Sequence, residues 1–205
     1  MSDSHDGAVD ALDRAGRAFM IGRWAEALEA YEEAISLNDK SAETRAQAGR
    51  CRLRLGRGSE AADDLEAAIA VAENPEESCW VELGDAYLQD GDEDRAAANF
   101  QAALERDPNR AEAFAGMGLL YIRNRAYQMA RTALERAVEL GPLETSLAGV
   151  RNNLAIVYCY FGDFERAADE LDAAGNLGFP IDPSFREKLA KEIIGQRQAH
   201  QEEPS

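Results

Sequence analysis

The chain has 205 residues, 45% of them hydrophobic and 30% charged, and its 39 acidic against 22 basic side chains leave a formal net charge of -17. Such a composition belongs to a folded chain rather than a disordered one. The charge excludes nucleic acid and anionic membrane as natural partners, since both would meet mostly like charge.

No apolar run reaches the roughly 18 residues of a spanning helix, so membrane insertion is not expected. The opening MSDSHDGAVD lacks the basic-then-apolar order of a signal peptide, and a cytoplasmic location is the default expectation. Cys51, Cys79 and Cys159 are odd in number and widely spaced, which points to a reducing compartment and buried thiols rather than a disulfide framework. His5 and His200 are the only histidines. A zinc site or a histidine-based catalytic centre is hard to build from them, and no metal or cofactor is expected.

In chain order, residues 1–7 read as a disordered acidic leader. A first helical hairpin follows over about 8–41, with Gly16 and Phe19 in its first helix, Gly22 in the turn, and Trp24, Ala27, Tyr31 and Ala34 in its second. A second copy over 42–75 places Gly49, Gly56, Ala61, Leu65 and Ala68 in matching positions, but Arg52 stands where other copies carry an aromatic residue. The third, 77–110, is the best formed: Trp80, Leu83, Gly84 and Tyr87 gather on one helical face, Gly91 breaks the pattern, and Ala96, Phe100 and Ala103 resume it until Asp107-Pro108. The fourth copy, 111–144, contains Phe114, Gly118, Tyr121, Tyr127, Ala130, Leu134, Ala137 and Pro142, and the fifth, 148–181, contains Leu154, Ala155, Tyr158, Gly162, Phe164, Ala167, Leu171 and Ala174. Phe185, Leu189 and Ile193 then recur every four residues, predicting a capping helix over 182–196 with Asp182 or Ser184 as N-cap. Residues 197–205 read as a flexible tail.

A hairpin with an apolar stripe on each helix cannot bury both against itself, so the copies must stack. The column Ala34, Ala68, Ala103, Ala137, Ala174 steps by 34, 35, 34 and 37, and Tyr31, Leu65, Phe100, Leu134, Leu171 steps identically. The small residues Gly16, Gly49, Gly84, Gly118 and Ala155 are expected to let the two helices of a hairpin approach closely. Glycines 22, 56, 91 and 162 are expected to end first helices in a left-handed conformation. Arg125 replaces glycine in the fourth copy, and that turn is expected to differ.

The period of 34 with its Trp-x2-Leu-Gly-x2-Tyr, Ala-x3-Phe and Pro pattern resembles the tetratricopeptide repeat (TPR) family, in five copies covering most of the chain. The resemblance implies an all-α, right-handed superhelical solenoid of antiparallel hairpins in one domain over 8–181, with the first helix of each repeat lining a concave wall. By resemblance the ninth place of each copy, Arg17, Arg50, Asp85, Leu119 and Ile156, faces that wall. So do the twelfth, which includes Leu53, Leu88, Ile122 and Cys159, and the thirteenth, Ile21, Arg54, Gln89, Arg123 and Tyr160.

These rows describe a groove that is basic at Arg17, Arg50 and Arg54, polar at Asp85 and Gln89, and apolar at Leu119, Ile122, Ile156 and Tyr160, with Asn152 as a backbone-gripping amide. The arginines would hold acidic groups of a partner, and the apolar end would accept side chains of an extended or helical segment. The competing reading pairs the arginines with Asp13, Glu43 or Asp85 and packs the apolar residues under the capping helix. The clamp by which some family members grip a terminal carboxylate is not matched, since Asp13, Arg17, Ser78 and Glu82 occupy the corresponding places. No glycine-rich phosphate loop, nucleophile elbow or metal-ligand spacing is present, so catalysis is not expected. The leading expectation is an adaptor binding another protein; a chaperone shielding an apolar client segment and a self-assembling scaffold are the alternatives.

Overall fold

The computed structural model describes residues 2–37, 39, 41–73, 75, 77–141 and 147–202. Pro142, which the sequence reading uses to close the fourth copy, lies outside them. The described residues form eleven α-helices and no strand: α1 (Ser2–Met20), α2 (Trp24–Ser36), α3 (Ala42–Arg54), α4 (Gly58–Val71), α5 (Glu77–Asp90), α6 (Glu93–Arg106), α7 (Ala111–Arg123), α8 (Tyr127–Leu140), α9 (Leu147–Tyr160), α10 (Phe164–Asn176) and α11 (Pro183–Glu202). They divide into two compact units, Met1–Pro108 and Asn109–Ser205.

Two boundaries differ from the sequence expectation. Helix α1 already runs from Ser2, through the stretch read as a disordered leader. Acidic residues suit the positive end of a helix dipole, and Asp6 falls near that end. Helix α11 continues to Glu202, past the expected end at 196, through a run rich in the helix formers Gln, Ala and Glu.

In the first unit, α1 pairs with α2, α3 with α4 and α5 with α6, and each hairpin packs on the next through α2 against α3 and α4 against α5. The column predicted to allow close approach does so at two of its three places here. A Cβ at Gly84 would lie 2.5 Å from the wholly buried Phe100 ring, and one at Gly49 would lie 2.9 Å from Leu65. At Gly16 it would meet nothing within 4 Å. The expectation for Gly16 is therefore corrected: in that hairpin the facing position is Tyr31, and no contact demands glycine.

Arg52 departs from the aromatic column without giving up its task. Tyr87 donates a hydrogen bond from its hydroxyl to Glu66 on the preceding α4. Arg52 reaches back in the same way to Glu32 on α2, at 2.7 Å, and also pairs with Asp64. In the second unit Tyr158 repeats the contact, donating to Glu135 on α8 at 2.8 Å. Burial, reinforced by that carboxylate, pushes the Tyr158 phenol up to about 12. One polar link from a first helix to the second helix before it thus recurs at three junctions, beside their apolar packing.

The second unit pairs α7 with α8 and α9 with α10, joins them through α8 and α9, and lays α11 on α10. Its core of Ala130, Leu134, Ala137, Val150, Leu154, Val157, Leu171 and Leu189 is flanked by Phe185 and Ile193, so α11 covers that core with the residues its periodicity predicts. Asp182 is the N-cap, accepting from the Ser184 amide at 2.8 Å, with Pro183 as the first helical residue.

The Arg125 turn also corrects an expectation. Arg125 adopts φ 57°, beside 74° at Gly56 and 73° at Gly162. Its hydrogen bonds, Arg125 N to Ile122 O at 3.0 Å and Ala126 N to Tyr121 O at 2.8 Å, repeat those of Gly56 N to Leu53 O and Arg57 N to Arg52 O. The turn keeps the form of the others and places an L side chain in the left-handed region to do so.

Candidate partner-binding site

The first unit presents Arg17 on α1, Arg50 and Arg54 on α3, and Asp85 and Gln89 on α5. Arg50 and Gln89 belong to a polar seam between α3 and α5. Arg50 Nε donates to Glu82 at 2.7 Å and its Nη2 to Ser78 Oγ at 3.3 Å. Gln89 Nε2 donates to the Leu53 carbonyl at 3.2 Å, satisfying an acceptor in the last turn of α3. Arg50 therefore engages a carboxylate of its own chain, Glu82, which the expected set of Asp13, Glu43 and Asp85 did not include. Its side chain is only 21% exposed.

Arg17 and Arg54 behave differently. Neither is buried, and among the described residues no carboxylate lies within ion-pair distance of either. The Arg54 guanidinium sits 5.9 Å from the centroid of Trp24, whose ring meets Phe19 edge-on at 5.0 Å. Arg17 lines a cleft of about 460 Å³ of mixed charge, with Arg14, Arg23 and Ile21 and the acids Glu26, Glu29 and Glu33. Met20 and Ile21, at the end of α1, are 84% and 66% exposed. The first unit thus offers two cations with no ion-pair partner among the described residues and two open apolar side chains.

Asp85 is open to solvent, yet desolvation by the surrounding protein, followed by the like charge of Glu82, pushes its carboxyl up to about 7, with Arg54 opposing. Water reaching the exposed group offsets part of that penalty. The acidic turn Asp90–Asp94 forms an open depression, and no cluster able to hold a metal occurs among the described residues.

In the second unit, Leu119 on α7 and Ile156 and Tyr160 on α9 are 37%, 41% and 63% exposed. Ile122 and Cys159 are partly buried against the core, so the apolar row is open at its ninth and thirteenth places and closed at its twelfth. Asn152 is half-buried on α9. Helix α11 does not cover Leu119, Ile156 or Tyr160, which remain exposed; its Gln196 instead donates to the Gly162 carbonyl at 2.9 Å.

The wall rows miss three residues that the structure adds to Tyr160. Tyr127, at the start of α8, stacks on Tyr160 with ring centroids 3.9 Å apart. Phe161 meets Tyr160 edge-on at 5.3 Å, and the Arg131 guanidinium lies 5.1 Å over Phe161. The adjacent aromatics Tyr160-Phe161 at a helix end were the available signal. Cys51 and Cys79 are buried and Cys159 partly so, none of them in a disulfide, and burial pushes the Cys51 thiol up to about 11.

A family model described as tetratricopeptide repeat matches residues 12–77 and 81–144. The BBSome complex member BBS4 of Bos taurus is similar, at 31% identity over 135 residues, which is 65% of this chain and 26% of that protein. The chain thus spans about a quarter of that relative's length. Among solved structures, a thermophilic TPR protein of Thermus thermophilus superposes with a TM-score of 0.68 at 21% identity, over 91% of this chain and 99% of that one. The APC/C hetero-tetramer Cut9-Hcn1 gives a TM-score of 0.78 at 15% identity, over 95% of this chain and 38% of that one. At these identities both structures are likenesses of fold, the helical solenoid.

Proposed function

Because this chain belongs to the tetratricopeptide repeat family, we propose that it is a non-enzymatic adaptor. It takes a peptide or helical segment of another protein on the wall of its first helices and so helps assemble a larger complex in the cytoplasm. The observation that carries this reading is the pair Arg17 and Arg54. Neither is buried and neither has a carboxylate within ion-pair distance among the described residues, Asp85 acting on Arg54 only from farther off, in a chain with 39 acids. Most cations on the helices around them are neutralised. A cation left in water beside open apolar side chains is suited to a charge-assisted contact with a partner's carboxylate. Arg50, tied to Glu82, serves as part of the frame. A relative that is a member of the BBSome supports a role inside a complex. The chain has no helix, among the described residues, long and apolar enough to cross a membrane.

The test is affinity capture from the native organism with the wild-type chain and with an Arg17→Glu/Arg54→Glu variant. The variant should retain its helical signal and lose its specific partners; an unchanged set of captured proteins would remove the basic half of the proposal. A second reading, a chaperone shielding an apolar client, is favoured by the exposed Leu119, Ile156 and Tyr160. It predicts that Ile156→Asp abolishes client solubilisation while the arginines are dispensable.

A further inference from the structure

Helices α7 and α9 carry an unusual charge pattern for this chain. Their sequences, AEAFAGMGLLYIR and LAGVRNNLAIVYCY, contain one acid between them, Glu112 in the first turn of α7. That carboxylate lies 2.9 Å from Arg110. The remaining charges on these two helices are Arg123 in the last turn of α7 and Arg151 on α9. The latter pairs with Glu170 at 2.7 Å. In a protein of net charge -17, the helices that expose Leu119, Ile156 and Tyr160 are almost free of negative charge.

The aromatic group at the end of α9 belongs to the same surface. Tyr127, Tyr160 and Phe161 form a continuous shelf through centroid separations of 3.9 and 5.3 Å. Arg131 lies over Phe161. Its Nε is buried and has no hydrogen-bond partner among the described residues, though it lies in a long ion pair 4.0 Å from Glu135; the side chain is 29% exposed, so a partner can meet only its outer part. Aromatic faces next to a guanidinium are suited to an apolar or aromatic side chain with a carboxylate close by, and they are unsuited to a cation, which Arg131 would repel.

Resting on the adaptor reading above, we infer that the Tyr127–Tyr160–Phe161 shelf with Arg131 is the anchoring site for an acidic partner segment. An apolar or aromatic side chain of that segment seats on Tyr160 and Phe161, and a neighbouring carboxylate reaches Arg131. Charge complementarity selects this occupant. A basic segment would be drawn to the acidic surface elsewhere but would meet arginine here, and a purely apolar one would make no use of the guanidinium beside the rings.

A displayed library of random peptides selected on the full chain tests this. Selected sequences should be enriched in Asp or Glu adjacent to an apolar or aromatic residue, and a synthetic peptide of the selected sequence should bind with saturable fluorescence anisotropy. Tyr160→Ser should weaken that peptide about tenfold or more, and Arg131→Gln should remove the preference over its Asn/Gln counterpart. Tyr160 is 63% exposed, so its replacement leaves the fold intact, which circular dichroism verifies. Enrichment of Lys or Arg, no enrichment, or selected peptides insensitive to both substitutions would overturn the inference. If acidic peptides are selected but depend on Arg17 and Arg54 alone, the adaptor reading stands and the anchoring site does not.

Discussion

The three glycines Gly16, Gly49 and Gly84 occupy one column of the repeat and yet bear different loads. At Gly84 an added methyl would sit 2.5 Å from the Phe100 ring, which is wholly buried and has nowhere to move. Gly84→Ala should therefore cost about 1–3 kcal/mol in urea unfolding, the range for overpacking a filled core. Gly16 lies inside α1 with nothing within 4 Å of its Cβ position, and Gly16→Ala should gain about 0.5–1 kcal/mol from helix propensity alone. Equal effects of the two substitutions would contradict the packing described. Arg125 presents the converse case, an L residue at φ 57°. Arg125→Gly relieves strain of about 1–2 kcal/mol but adds about 0.4–1 kcal/mol of unfolded-state entropy, so a small net stabilisation is expected. Asp85 adds a pH dependence. Its carboxyl is raised to about 7 by desolvation, so the folded state holds the proton more tightly than the unfolded chain. Stability is lost as pH rises from the ordinary carboxylate range through 7. The gain from Asp85→Asn should accordingly be larger at pH 8 than at pH 5, and equal gains would show that the group is not perturbed.

At the scale of helices, the repeat was legible because a period of 34 imposes agreement between independent columns, and each column has a packing reason. What the columns hide is substitution of one chemistry for another. Arg52 breaks the aromatic column, yet it makes the backward link that Tyr87 and Tyr158 make, to an acid on the preceding second helix. With its side chain 13% exposed and three carboxylates around it, Arg52→Leu should cost about 2–4 kcal/mol by leaving Asp64 half-buried and unpaired. Arg52→Tyr should restore part of that loss, and a thermal melt of the two variants side by side separates the link from mere bulk. The site was legible to a lesser degree, for a related reason. Whether a wall arginine is available depends on where other helices place acids: Arg50 is engaged by Glu82, 32 residues away, whereas Arg54 rests over Trp24. The aromatic shelf was legible only as the adjacent pair Tyr160-Phe161, for the same cause: Tyr127 and Tyr160 belong to different hairpins and meet because the start of α8 lies beside the end of α9.

At the scale of the whole molecule, the excess of acid separates the adaptor from the chaperone reading. An acidic segment approaching a chain of net charge -17 is repelled at long range and attracted only within reach of Arg17, Arg54 or Arg131. The Debye length is about 30 Å at 0.01 M salt and about 8 Å at physiological ionic strength. Raising salt from very low ionic strength should first remove the long-range repulsion and speed association, then weaken the arginine contacts. Binding of an acidic partner should therefore pass through a maximum with salt rather than fall throughout. An apolar client gripped by Leu119, Ile156 and Tyr160 has no short-range charge to lose, and its binding should hold or strengthen as salt rises. Titration across ionic strength with the captured partner, repeated on Arg54→Gln and Ile156→Asp, assigns the dominant contact. A maximum that vanishes in Arg54→Gln supports the adaptor, whereas salt-insensitive binding lost only in Ile156→Asp assigns the chaperone role.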